Sequence, residues 1–337
     1  MIKFLRMWLL LPVIAMPSMF FIGCQTYDED EVLIWEDAAT PKEVLKKGAG
    51  EGPAWHPTQG LFFSGEGHIQ QWHASHGVRP FEEGAGSNGL MFDSQGRLIA
   101  CEPLHRRVRR LEKNGQWATL TDDYDGYRYN TPNDVTIDQA GRIYFSDPRY
   151  GDRSGMEMKD DQGRLVEGVY CIHTGGEVQR VITHEVDRPN GVLVSADDRF
   201  LYVADNNNRS QGARKLWRFE KLSDGTLKLS SKTLIFDWKT SRGPDGMAQD
   251  ALGRLYVAAG INHNKPPHET RLPYPAGIFV FSREGRWMGH LPIPNDEVTN
   301  CAFGGEDHRT LFITAGGHLW TMKTAYPGDL TWPPIRP

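Results

Sequence analysis

A sixfold internal repeat confines this chain to one kind of architecture before any other feature is weighed. The segments Glu51-Gly-Pro-Ala-Trp, Asn88-Gly-Leu-Met-Phe, Asn133-Asp-Val-Thr-Ile, Asn190-Gly-Val-Leu-Val, Asp245-Gly-Met-Ala-Gln and Asn300-Cys-Ala-Phe-Gly align with one another. They recur roughly every 40–60 residues, near the blade period of propeller folds. Each is followed by a second apolar run: Leu61-Phe-Phe-Ser, Leu98-Ile-Ala-Cys, Ile143-Tyr-Phe-Ser, Leu201-Tyr-Val-Ala, Leu255-Tyr-Val-Ala and Leu311-Phe-Ile-Thr. A third run comes next, for example Ile69-Gln-Gln-Trp, Val169-Tyr-Cys-Ile and Leu216-Trp-Arg-Phe. Alternating patterns rich in β-branched and aromatic residues, separated by Gly, Asn and Asp turns, predict short antiparallel strands.

Six such units predict an all-β chain, a six-bladed β-propeller with a central channel. Radial repetition lets 337 residues form one domain with few exposed sheet edges. The 36 glycines and 21 prolines agree with many short strands and oppose a helical bundle. No unit contains a glycine-rich phosphate loop or a convincing amphipathic helix. Either Val32-Leu-Ile-Trp or Val44-Leu-Lys is expected to pair with the last blade and close the ring.

The first 23 residues stand apart. Lys3 and Arg6 precede an apolar stretch, Met7 to Ile22, interrupted by Pro12 and Pro17. That stretch is short for a membrane span and suits a secretory signal. It runs into Phe21-Ile22-Gly23-Cys24, which resembles the lipobox of bacterial lipoproteins. The expected organisation is a signal over 1–23, a tether with a possible closing strand over 24–45, and the propeller over 46–337. Export to the periplasm or cell envelope follows, with membrane contact only through a lipid on Cys24. The net charge of −5 offers no basic footprint for nucleic acid. Cys101, Cys171 and Cys301 lack metal-type spacing and are expected to be small buried hydrophobes.

Chemistry concentrates in the first position of the repeat. Turn formation explains Asn or Asp before Gly at Asn88, Asn190 and Asp245, but it does not explain Glu51. The innermost strand of each blade lines the channel, so six oxygen-bearing side chains at one register converge at one mouth. Two carboxylates with several amide oxygens make a hard donor set suited to Ca²⁺ or Mg²⁺. Glu102 and His105 follow the second strand of blade two, within reach of a substrate at that mouth. The alternative for this pair is a surface loop solvated by Arg106 and Arg107. Arg128, Arg149 and Tyr150 lie in connections flanking blade three, where a lid would form.

The motifs Glu51-Gly-Pro-Ala-Trp, Pro132-Asn133-Asp134-Val135, Phe145-Ser146-Asp147-Pro148 with Tyr150-Gly151, Arg188-Pro189-Asn190-Gly191, Pro244-Asp245-Gly246-Met247 and Thr299-Asn300-Cys301-Ala302-Phe303-Gly304-Gly305 resemble the gluconolactonase/senescence-marker-protein (regucalcin-like) family. The resemblance runs from about Glu51 to Met322. It implies a six-bladed propeller holding one divalent cation, Ca²⁺ first, with Mg²⁺, Mn²⁺ and Zn²⁺ as alternatives. The ligands it implies are Glu51, Asn190 and Asp245, with Asn133 holding metal or substrate. Asp245 matches the residue that acts as general base or nucleophile. Asn88, Asn133, Glu102 and His105 complete the expected substrate side. The implied reaction is metal-dependent hydrolysis of a small sugar lactone, the metal polarising the carbonyl. Phe63-Ser64-Gly65 and Pro103-Leu104-His105 depart from the family pattern near the substrate end. The rival readings are a phosphotriesterase-type hydrolase and a non-catalytic ligand-binding propeller. Two carboxylates around an open channel favour an enzyme.

Overall fold

The repeat becomes a ring of six four-stranded antiparallel sheets in the computed structural model, which describes residues 33–332. The signal, Cys24 and the start of the tether lie outside the described residues. In each blade the innermost strand is a first-position segment of the repeat. Blade one, for example, runs Glu51–His56, Gly60–Gly65, His68–His73 and Gly77–Glu82 from the axis outward. Blade four follows the same order with Pro189–Val194, Phe200–Asn206, Arg214–Lys221 and Leu227–Asp237. Every described element is a strand, as the pattern predicts.

Blade six takes its outermost strand from the beginning of the chain. Lys42–Ala49 pairs antiparallel with Gly317–Lys323, in a register that sets Lys42 opposite Thr321 and Ala49 opposite Gly317. Of the two candidate closing segments, the one containing Val44 and Leu45 therefore forms the strand. The earlier one contributes a single bridge, Trp35 to Thr324, and packs the Trp35 ring edge-on against Tyr256 at 5.7 Å. Closure by the N-terminal strand ties both ends of the chain into one sheet and leaves no blade incomplete.

Hydrophobic residues fill the spaces between neighbouring blades. Phe62 of blade one meets Phe92 of blade two, and Tyr256 of blade five meets Phe303 of blade six. Trp72, in the third strand of blade one, packs edge-on against Phe312 of blade six at 6.0 Å. Cys101, Cys171 and Cys301 are free and buried among these residues, as expected.

The sequence also carries a turn motif that the repeat alignment does not single out. Asp93, Asp138 and Asp250 each stand four residues before an arginine, in the turn joining the first and second strands of blades two, three and five. One carboxylate oxygen accepts the arginine backbone N–H, at 3.0, 2.9 and 3.0 Å. The other accepts the guanidinium Nε–H, at 2.8, 2.6 and 2.6 Å. The same motif, Asp160 to Arg164, shapes the long loop of blade three. Removing one such carboxylate leaves charge-assisted donors unpaired. Asp93→Ala is therefore expected to cost about 2 kcal/mol. The check is a shift of the denaturant midpoint at constant slope. An unchanged midpoint would show the turn to be held by its backbone alone.

The end of the channel away from the ring of polar residues is partly covered. Residues 327–332 cross it, with the Asp329 N–H donating to the Gln249 carbonyl at 2.9 Å and the Gly328 N–H to that of His308 at 2.8 Å. The Trp332 ring lies 4.6 Å from that of His56. Beneath this cover is a cavity of about 110 Å³ lined by all six inner strands, including Trp55, Met91, Val135, Leu193, Met247 and Phe303.

Candidate active site

Why the first-position residues converge is answered by the residues that follow them. A Cβ on Gly52 would lie 2.2 Å from the Asn88 carbonyl oxygen, and one on Gly89 2.6 Å from that of Asn133. On Gly191 it would lie 2.1 Å from the Asp245 carbonyl oxygen, and on Gly246 2.0 Å from Cγ of Asn300. Each glycine thus lies against the ring residue of the next blade, a distance only a residue without Cβ permits. The Asn-Gly and Asp-Gly pairs here are not turn formers. They are points of close contact between the entries of neighbouring inner strands.

Blade three breaks the pattern with Asp134 in the glycine position. Its carboxylate slides under blade four and accepts the Val192 N–H at 3.0 Å. Asn300 donates its amide to the same carboxylate, and its Oδ1 accepts the Cys301 N–H at 2.8 Å. Asn300 is therefore committed to holding the ring together. Glu51, Asn88, Asn133, Asn190 and Asp245 occupy equivalent positions around the same mouth. Asn133, Asn190 and Asp245 are buried, while Glu51 and Asn88 are half-buried.

Three carboxylates close to one another are costly in a buried setting, and their protonation records it. Burial raises the Glu51 carboxyl well above its ordinary value, and the charges of Asp245 and Asp134 raise it further. Burial lifts Asp134 to about 7 and Asp245 to about 6. Arg242 works in the opposite direction, with its guanidinium Nη2 3.1 Å from Oδ2 of Asp245. Arg242 stands three residues before Asp245 in the connection that enters blade five. Its position was a sequence-visible signal that the repeat alignment passed over.

The Asn190 amide is oriented by groups whose roles leave no choice. Tyr150 comes from the long loop of blade three, and its hydroxyl lies 3.0 Å from the Asn206 backbone carbonyl. That carbonyl can only accept, so the phenol proton goes to it. The Tyr150 oxygen must then accept from Asn190, whose Nδ2 is 3.0 Å away. The Asp245 carboxylate, also an acceptor, takes a hydrogen bond from the Asn190 side chain. The Nδ2 end of the amide is thus engaged by Tyr150, and its Oδ1 is the atom left to offer.

Two expected substrate contacts fare differently. Glu102 is fully buried, and its carboxylate is clasped by Arg107 at 2.7 Å and by Arg109 from the third strand of blade two. It points outward along its own sheet, so it does not offer a group to the channel. The expectation for Glu102 is corrected on that ground. His105 sits in the rim turn of the same blade, its Nε2 3.0 Å from the Gly84 carbonyl. At the matching position of blades three and four, Asp147 and Asp205 also serve structure. Asp147 accepts the backbone N–H groups of Asn130 and Thr131, each at 2.8 Å. Asp205 accepts those of Asp187 and Arg188 at 3.1 and 2.9 Å. In blades three and four a carboxylate at the end of the second strand thus braces the loop entering the inner strand.

Among the described residues no three His, Cys, Asp or Glu side chains form a metal centre by themselves. A cation here would draw on two carboxylates, those of Glu51 and Asp245, completed by amide oxygen from Asn190. That donor set is entirely oxygen, and its surplus negative charge is offset only in part by Arg242. The residues present fit a hard divalent ion.

Known proteins share both sequence and shape with this chain. It is 27% identical over 293 residues to a gluconolactonase of Zymomonas mobilis, covering 84% of this chain and 73% of that protein. It is 25% identical over 275 residues to a pentonolactonase of Haloferax volcanii, covering 80% and 81%. The solved structure of a gluconolactonase from Xanthomonas campestris superposes with a TM-score of 0.71 at 28% identity, over 89% of this chain and 93% of that one. The family description SMP-30/Gluconolactonase/LRE-like region matches residues 49–317. Because that match takes in all six copies of the ring register, from Glu51 to Asn300, this chain belongs to the SMP-30/gluconolactonase/LRE-like family.

Proposed function

We propose that this protein is a lactonase that opens a sugar lactone with the help of one divalent cation, Asp245 acting as general base. Membership of the family and the lactonase names of the relatives support lactone hydrolysis. The observation that carries the site is the convergence of Glu51, Asn190 and Asp245 at one mouth. There the Asn190 amide donates to Tyr150, and Arg242 pairs with Asp245. Glu51, Asn190 and Asp245 hold the cation, Ca²⁺ or Mg²⁺ by donor chemistry, with Asn133 beside them. Such an ion, when bound, supplies Lewis-acid polarisation of the lactone carbonyl.

The remaining work falls to side chains. Asp245 accepts a proton from the attacking water, whose acidity a bound cation would raise. Arg242 steadies the Asp245 carboxylate through Oδ2 and leaves Oδ1 directed elsewhere. Asn133 and Asn88 present amides at the same mouth, where sugar hydroxyls require both donors and acceptors. A lactone is already an activated ester, so no serine nucleophile is required.

The test is hydrolysis of a panel of sugar lactones and phosphotriesters by purified protein, before and after exhaustive chelation. Lactone opening is expected to disappear on chelation and return with Ca²⁺ or Mg²⁺. Full activity with no metal found by elemental analysis would remove the cation from the mechanism. Phosphotriester turnover without lactone turnover would move the protein to the other hydrolase class.

A further inference from the structure

We propose that Tyr150 is a positioning residue, which fixes the Asn190 amide so that its Oδ1, and not its NH₂, is presented to the cation. This inference rests on the cation site proposed above and assigns a role to a residue outside it. Three observations carry it. The Tyr150 hydroxyl has one proton, and the Asn206 carbonyl 3.0 Å away can only receive it. Its oxygen therefore needs a donor, and Asn190 Nδ2 supplies one at 3.0 Å. Turning the amide over would set its oxygen against the lone pairs of Tyr150 and the carboxylate of Asp245 together.

Tyr150 is itself braced, as a positioning residue must be. The Arg188 guanidinium lies over its ring, 5.1 Å from the centroid. Arg188 is buried, and its Nε donates to Glu167 at 2.9 Å. Glu167 in turn accepts the backbone N–H of Arg149 at 2.6 Å and the guanidinium of Arg153 at 2.5 Å. The loop of blade three is thereby tied to the entry of blade four. A preformed amide oxygen needs no reordering when the ion arrives, so less affinity is lost to orientation.

The experiment is a calorimetric titration of Ca²⁺, with Mg²⁺ in parallel, into chelated full-length protein, wild type, Tyr150→Phe, Asn190→Ala and the double variant. Tyr150→Phe keeps the ring under Arg188 and removes only the hydroxyl. It is expected to weaken cation binding by about 10-fold or more, the usual loss for a group that orients a ligand. In the Asn190→Ala background the same change is expected to have no further effect, because the two residues act as one unit. A purely structural hydroxyl would lower the melting temperature and weaken binding equally in both backgrounds. That result, or an unchanged affinity in Tyr150→Phe, overturns the proposal while leaving the cation site intact. Wild-type protein that takes up neither ion overturns the site and the proposal together.

Discussion

Asp245→Asn is expected to lower lactone turnover by about 10²–10⁴-fold, the usual contribution of a positioned base, while the protein remains folded. Asparagine matches aspartate in size and keeps one oxygen towards the channel. It loses the charge and the site that takes the proton. The backbone around it is unaffected, since the Asp245 N–H donates to the Ala258 carbonyl at 2.8 Å and its carbonyl faces Gly191. The repulsion that raises Glu51 is partly relieved while Arg242 loses its charged partner, so folding of the variant is checked by thermal melting. Activity is measured at saturating Ca²⁺ so that weaker binding does not masquerade as lost chemistry. Asn300→Ala is the companion from the same ring. Its amide serves Asp134 and the Cys301 N–H, so it should cost stability and much less turnover. Wild-type turnover in folded, metal-loaded Asp245→Asn would exclude this carboxylate as the base.

Gly191→Ala should do more damage to the fold than any surface change. The added methyl carbon would sit 2.1 Å from the Asp245 carbonyl oxygen and 3.0 Å from its carbonyl carbon. Both are backbone atoms of an inner strand, so neither can swing aside as a side chain would. Ordinary overpacking costs about 1–3 kcal/mol, and a clash with two fixed strands should exceed that range. The expected outcome is protein that unfolds at markedly lower denaturant or fails to accumulate as a folded species. Gly155→Ala is the control. Its nearest neighbour would be the mobile end of Arg149 at 3.7 Å, and its stability should change by less than about 0.5 kcal/mol. Equal stability of the two variants would refute the close approach of inner strands as the reason for glycine after the ring residue.

The blades were legible because a propeller writes its period into the chain. Each second strand must bury the same faces against the same neighbours, so Leu61, Ile143, Leu201 and their counterparts recur. The ring residues were legible for the same reason, and Glu51 stood out because turn chemistry does not select glutamate. The function of the glycines was not legible, since at Gly89, Gly191 and Gly246 the constraint comes from a neighbouring blade, and only Gly52 also has a left-handed backbone, at φ +55°. Glu102 was misjudged because its place at the end of a second strand points to the mouth, while its side chain follows Arg107 and Arg109 into the sheet. Tyr150 acts across a blade boundary on Asn190, while Arg242 acts on Asp245 from three residues before it. Pairwise partnerships of that kind leave no periodic trace. Both candidate closing segments carried a strand-like pattern, and only strand pairing with Gly317–Lys323 separated them.

That pairing has a consequence for how the molecule is made. A chain synthesised from its N-terminus exposes Lys42–Ala49 long before Gly317–Lys323 exists to receive it. Throughout that interval the segment is an orphan strand, able to recruit the backbone of any other nascent chain. Its composition guards against this, because Lys42, Lys46 and Lys47 crowd like charges along eight residues. Two copies brought together edge to edge would repel one another. Like charge on Lys42, Lys46 and Lys47 thus disfavours edge-to-edge pairing of two first-made strands before the last-made one arrives.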